Sequence, residues 1–166
     1  MKSSWQVVLA PMILTNLFLS SAGADGQRPI TANGPRVQLP TGDSVRFSDL
    51  NGRPMVLHFF SGACRNCRND DRLLRDLTLN YADLGVVLIN IYPQPLRKGL
   101  TVDDEALTLG VPTLTDPDGT FARRYGQSQQ AGTVFLDRTG RVVTRLRDGV
   151  TEKGALNSLH RVLGSS

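Results

Sequence analysis

The two cysteines of the chain, Cys64 and Cys67, are the strongest candidates for chemistry, and only two residues separate them. An apolar run at 55–60 precedes them and leucines at helical spacing follow them, so the pair lies where a buried strand passes into a helix. A helix N-terminus stabilises a thiolate through its unpaired N–H groups and its dipole. We therefore predict that Cys64 is the exposed nucleophile and that Cys67, one helical turn deeper, resolves the mixed disulfide.

Nearby charges and the small number of possible metal ligands favour a redox role for this pair over a structural disulfide or a zinc site. Arg65 and Arg68 place cations beside Cys64, which favours the thiolate, and Arg65 is also a candidate substrate contact. A purely structural disulfide closing so short a loop would remove little unfolded-state entropy. A structural zinc site needs four ligands, and the chain offers only His58 and His160 besides the cysteines. The sequence therefore predicts thiol–disulfide exchange without a metal or other cofactor.

Length and composition indicate a single globular domain. The chain has 166 residues, of which 40% are apolar and 20% charged. Its formal net charge is +4, but the basic residues are scattered from Arg28 to Arg161 and form no block. A role in nucleic-acid binding is therefore not expected.

Residues 1–24 are expected to form a signal peptide rather than part of the fold. Lys2 supplies a positive charge, residues 5–19 an apolar core, and Ala22-Gly23-Ala24 a small-residue cleavage site. The apolar part is shorter than the ~20 residues of a spanning helix. The alternative is an uncleaved N-terminal anchor, which would tie the chain to a membrane. Cleavage would leave a loose segment at 25–35 and one domain at 36–166, exported into an oxidising compartment.

The remaining pattern predicts alternating strands and helices. Two hairpins are predicted, one near each end of the domain, and two apolar strands lie between them. The helix after the cysteines is expected to end near 83–85. The predicted strands are 37–39, 44–47, 55–60, 86–91, 113–115, 133–137 and 141–146, and the other predicted helices are 102–109, 120–125 and 151–163.

A strand, a Cys-x-x-Cys pair, a helix and a second strand, followed by a hairpin and a last helix, resemble the thioredoxin fold. The N-terminal hairpin, the export signal and the Asp-Arg-Thr-Gly-Arg-Val-Val segment at 137–143 resemble the TlpA/ResA-like branch of extracytoplasmic thioredoxins. The resemblance covers about 36–163. It implies an α/β fold in which helices flank a central mixed sheet, with an added N-terminal β-hairpin.

The same resemblance implies a periplasmic thiol–disulfide oxidoreductase. Members often reduce one narrow protein substrate, for example in cytochrome c maturation, so the expected partners are protein thiols or disulfides and a redox partner. We expect a monomer. The direction of electron flow stays open, because the cations beside Cys64 favour an oxidising potential whereas the resemblance favours a reductant.

The resemblance also points to a substrate groove. The family carries a cis-proline facing the cysteine pair, and this chain has Ala131 there, preceded by Gln130. Alanine prefers the trans form by about 2.5–4 kcal/mol, so we expect altered docking or a more open groove. An opened dithiolate is a ligand for Cu(I), which makes a copper-binding or copper-delivery protein the alternative function. Pro112 is not the missing proline, because the strand that should follow it starts only at Thr133.

Two further side chains are candidate site residues. His58 lies six residues before Cys64, where thioredoxin carries a buried aspartate. It either relays the Cys67 proton or is a buried histidine with a backbone partner. Asp70, one turn past Cys67, matches an acidic residue common in the TlpA/ResA-like branch. Its alternative is a solvated helix residue beside Asp71 and Arg68.

Overall fold

A mixed β-sheet forms the centre of the molecule. The computed structural model describes residues 34–61, 66–93, 110–127, 131–147 and 149–164. Within these residues the sheet has seven strands, in the spatial order β2-β1-β5-β4-β3-β6-β7. The strands are β1 (Arg36–Gln38), β2 (Ser44–Arg46), β3 (Met55–Phe59), β4 (Val87–Tyr92), β5 (Thr113–Thr115), β6 (Gly132–Leu136) and β7 (Val142–Leu146).

Pairing within the sheet confirms both predicted hairpins. Strands β1 and β2 pair antiparallel, as do β6 and β7. Strand β4 runs parallel to both β3 and β5, as its continuous apolar sequence predicts for a central strand. Strand β6 pairs antiparallel with the other side of β3, and β1 pairs antiparallel with β5. The carboxyl ends of β3, β4 and β5 therefore meet at one edge of the sheet.

The described helices are α1 (Cys67–Leu79), α2 (Thr120–Arg124) and α3 (Glu152–Gly164). Helix α1 ends earlier than predicted. After its C-cap Asn80 the chain forms a separate short 3-10 helix, Ala82–Leu84, which Gly85 closes with a φ of 77°. Glycine adopts such a left-handed conformation without the steric cost that other residues meet. The predicted helix at 102–109 and the predicted signal at 1–24 lie outside the described residues.

Successive side chains of β3 point to opposite faces of the sheet, and each face carries a separate hydrophobic core. Leu57 and Phe59 belong to a core on the side of α2, together with Phe121 of that helix. Val56 points to the opposite face, where it packs with Leu74 of α1 and with residues of α3. His58 follows Val56 by two residues and so lies on this second face, beneath α1. None of the helices in the described ranges is long and apolar enough to cross a membrane.

Candidate active site

Cys67 is the first residue of α1, its sulfur is disulfide-bonded, and only 4% of the residue is exposed. The first turn is closed by the Asn66 carbonyl, which accepts the backbone N–H groups of Asn69 and Asp70 at 2.9 Å each. The helix therefore begins at Cys67, and the expectation that Cys67 lies one turn inside it is wrong. The other cysteine, Cys64, and the neighbouring Arg65 lie outside the described residues.

His58 connects the start of α1 to the sheet. It is 1% exposed, with Nε2 3.3 Å from the Cys67 carbonyl oxygen and Nδ1 3.0 Å from Oγ1 of Thr133. Burial lowers the pKa of His58 from 6.5 to about 4, so the ring is neutral at physiological pH. Because a carbonyl only accepts, Nε2 carries the proton and Nδ1 accepts from the Thr133 hydroxyl.

This geometry corresponds to the second of the two alternatives for His58, a buried histidine with a backbone partner. The ring donates to the carbonyl of Cys67, so it holds the first residue of α1 against β3. Its proton-relay role stays a prediction, since the hydrogen bond that joins the two residues does not involve the sulfur.

His58 belongs to a row of buried polar side chains that crosses the sheet, which we call the polar row. It consists of Thr133 on β6, His58 on β3, Asn90 on β4 and Thr113 on β5. Each is directly paired with the next in register, and each is 0–1% exposed. Paired residues point to the same face, so the row lies on the α1 side of the sheet, near the carboxyl ends of β3 and β4.

Asp71, the neighbour of Asp70 on α1, is a fully buried acid. It is 0% exposed and lies one turn after Cys67 on α1. Its Oδ1 accepts a 2.7 Å hydrogen bond from Nδ2 of Asn90. The signal that locates it is helical spacing, because Cys67, Asp71 and Leu74 form one stripe at i, i+4 and i+7.

Asp70 occupies an intermediate position at the edge of the same helix. Its carboxylate accepts a hydrogen bond from the Val150 N–H, which lowers its pKa, but burial raises the pKa more, so the net direction is upward. The side chain is half-buried rather than freely solvated. Its assignment as a site residue remains a prediction. Arg68, one residue after Cys67, is exposed.

Ala131 is the residue before β6, and Gly132 of that strand pairs with Phe59 at the end of β3. Since the next residue, Thr133, bonds His58, this segment reaches the same end of the sheet as Cys67. Whether Ala131 faces the cysteine pair stays a prediction, and Gln130 lies outside the described residues. The sheet order agrees with rejecting Pro112, because β5, which follows it, is separated from β3 by β4.

Gly132 is confined from two sides. A Cβ there would lie 2.8 Å from Oε1 of Gln127 and 3.1 Å from the Leu146 carbonyl oxygen. Gly132→Ala is expected to lower the free energy of unfolding by about 1–2 kcal/mol, because the buried Gln127 side chain and strand β7 must both shift. Urea unfolding measures the change.

Gly164→Ala is the matched control, because nothing lies within 4 Å of a Cβ at that position. Adding Gln127→Ala to Gly132→Ala is expected to recover part of the loss by removing the closer contact. Equal stability of Gly132→Ala and the parent protein would contradict the described packing.

A model of the AhpC/TSA family matches residues 30–145. The chain belongs to this family. It is also similar to the thiol-disulfide oxidoreductase ResA of Bacillus thuringiensis subsp. konkukian, with 20% identity over 112 residues. That match covers 68% of this chain and 65% of the relative, so the chain spans just under two thirds of the ResA protein. The predicted resemblance to ResA-like proteins is confirmed.

Solved structures confirm the thioredoxin fold. The exposed lipoprotein thioredoxin Etrx1 of Streptococcus pneumoniae superposes with a TM-score of 0.58 at 20% identity, covering 75% of this chain and 96% of that one. The thioredoxin domain of a thiol-disulfide oxidoreductase from Bacteroides vulgatus gives 0.61 at 15% identity, covering 85% and 99%. At these identities the comparison establishes the architecture.

Proposed function

We propose that this protein is a thiol–disulfide oxidoreductase that reduces a specific protein disulfide through Cys64 and Cys67. The observation that carries the proposal is Cys67 itself, buried and disulfide-bonded at the first residue of α1. The helix begins at this residue, and His58 holds its backbone carbonyl against β3. Similarity to ResA supports the same activity.

The proposed reaction consists of two sulfur displacements. The Cys64 thiolate attacks one sulfur of the substrate disulfide, the substrate S–S bond breaks, and one substrate sulfur leaves as a thiolate. Cys67 then loses its proton to solvent and attacks the Cys64 sulfur, which releases the second substrate thiolate. The protein is left as the Cys64–Cys67 disulfide, and a redox partner must return two electrons before the next cycle.

Further parts of the proposal rest on the sequence. Arg65, Gln130 and Ala131 would contact the substrate strand, and Asp70 would assist at the edge of α1. Export to the periplasm is proposed from the pattern of residues 1–24. The copper alternative would use the same two sulfurs, and it stays a prediction because Cys64 lies outside the described residues. Across the described ranges, no group of three or more His, Cys, Asp and Glu side chains is arranged to hold a metal ion.

Three measurements on the wild-type protein test the proposal: disulfide exchange, reduction potential and Cu(I) binding. The reduced protein is expected to cleave a model protein disulfide, and its reduction potential is expected near the ~−270 mV of thioredoxin. A potential near the ~−120 mV of a strong oxidant would reverse the direction of electron flow. Absence of exchange together with tight Cu(I) binding by the reduced protein would replace the proposal with the copper alternative.

A further inference from the structure

Asp71 is a buried acidic residue that takes no part in the proposed reaction or in the apolar packing of the core. It lies in the second turn of α1, and no part of it is exposed. An acid in this position is costly unless it is hydrogen-bonded or its charge is used. Its surroundings therefore decide what it does.

Helix geometry places Asp71 beside Cys67. The two residues are four apart on α1 and both are buried on the face that packs against the sheet. Side chains at this spacing are neighbours, with Cβ atoms about 5–6 Å apart. Charges interact more strongly across such a distance in a protein interior than in water.

The polar row makes hydrogen bonds to both Cys67 and Asp71 from the sheet. Asn90 donates a hydrogen bond to Oδ1 of Asp71 at 2.7 Å. His58, paired in register with Asn90, bonds the carbonyl of Cys67. Adjacent members of one row thus position the carboxylate and the cysteine relative to each other.

We propose that Asp71 is a positioning residue that keeps Cys67 protonated when the dithiol is reduced. A carboxylate one turn away disfavours the Cys67 thiolate, because the two negative charges repel. Cys64 would then be the only thiolate at neutral pH, so the charge would fix which sulfur attacks first. The functional significance of this inference rests on the proposed function. Its test does not, because it measures only the pKa of Cys67.

Other charged groups near this pair are few in the described part of the chain. His58 on β3 is neutral, and Asp70 and the exposed Arg68 flank Cys67 on α1. Arg75, one turn after Asp71, lies 3.6 Å from Asp76. On α3, which also packs against α1, the charged residues Glu152, Lys153 and Arg161 are exposed, as is His160.

The experiment uses the Cys64→Ser protein, in which Cys67 is the single thiol. The ultraviolet absorbance of the thiolate and the rate of alkylation by iodoacetamide are followed against pH. Adding Asp71→Asn, which keeps the side-chain shape and an oxygen for the Asn90 amide, is expected to lower the pKa of Cys67 by about one unit. Alkylation at neutral pH should then be about tenfold faster.

Asp76→Asn is the matched control, because it removes the same charge from the same helix at a side chain that is 72% exposed. It is expected to change the rate less than twofold. Should Asp71→Asn fail to fold, Asp71→Ser removes the charge as well, and the same shift is expected. In denaturant the pKa of Cys67 should be the same in all variants, because unfolding removes the contact with residue 71.

Superimposable pH profiles for Asp71→Asn and its parent would overturn the inference. That outcome is distinct from failure of the proposed function, which is judged by disulfide exchange in the wild-type protein. Disulfide exchange without a shift in the pKa of Cys67 would support the proposed function and exclude the role of Asp71. A shift in the pKa of Cys67 without disulfide exchange would support the role of Asp71 and exclude the proposed function.

Discussion

A Cys67→Ser variant is expected to lose turnover in disulfide exchange and to accumulate covalent mixed disulfides with its partners. Cys64 still attacks, but the thiol that releases the substrate is missing, so the intermediate persists. Non-reducing electrophoresis followed by mass spectrometry identifies the adducts and the cysteine that carries them.

Two variants provide the controls. Cys64→Ser is expected to be equally inactive but to form no adducts, and the double Cys64→Ser/Cys67→Ser protein defines the background. Adducts on Cys67 in the Cys64→Ser protein, with none in Cys67→Ser, would reverse the assigned roles. Alkylation of the reduced wild-type protein at mildly acidic pH gives an independent check, since Cys64 should react well before Cys67.

The strands of this fold are predictable because their sequences are locally consistent. The runs at 55–60 and 86–91 are nearly continuously apolar, whereas a half-exposed strand alternates apolar and polar residues. Both runs are found in the sheet centre as β3 and β4. Both hairpins follow from turn residues between short apolar segments. The end of α1 was harder to place, because Tyr81 and Leu84 continue the apolar pattern after the helix has ended at Leu79.

The buried polar residues around Cys67 are the part of the candidate site that the sequence does not predict. An aspartate is usually exposed, but the spacing of Asp71 from Cys67 and Leu74 places it on the buried stripe of α1. Asn90 lies within an otherwise apolar strand, and nothing in the local sequence shows that Asp71 is its partner. The Asp71–Asn90 hydrogen bond spans two elements, so it depends on how α1 packs on β4. Periodicity along one element carries no such information.

His58 is expected to make the stability of the oxidised protein depend on pH between about 4 and 6.5. Its pKa is about 4 in the folded protein, where burial disfavours the charged ring, against 6.5 in the unfolded chain. In this interval the unfolded chain binds a proton that the folded protein does not, so stability rises with pH. Acidification across the interval should therefore cost roughly 3 kcal/mol. Urea unfolding at several pH values measures the slope.

His58→Gln isolates this contribution, because an amide can donate to the Cys67 carbonyl and accept from Thr133 without titrating. The variant is expected to lose most of the slope, while His160→Gln, at the exposed histidine bonded to Tyr81, keeps it. Asp70 acts in the opposite direction, since its raised pKa favours the folded state at low pH, but it is present in both proteins and cancels in the difference. An unchanged slope in His58→Gln would mean that the ring is not held neutral against Cys67, and the support assigned to the start of α1 would have to be revised.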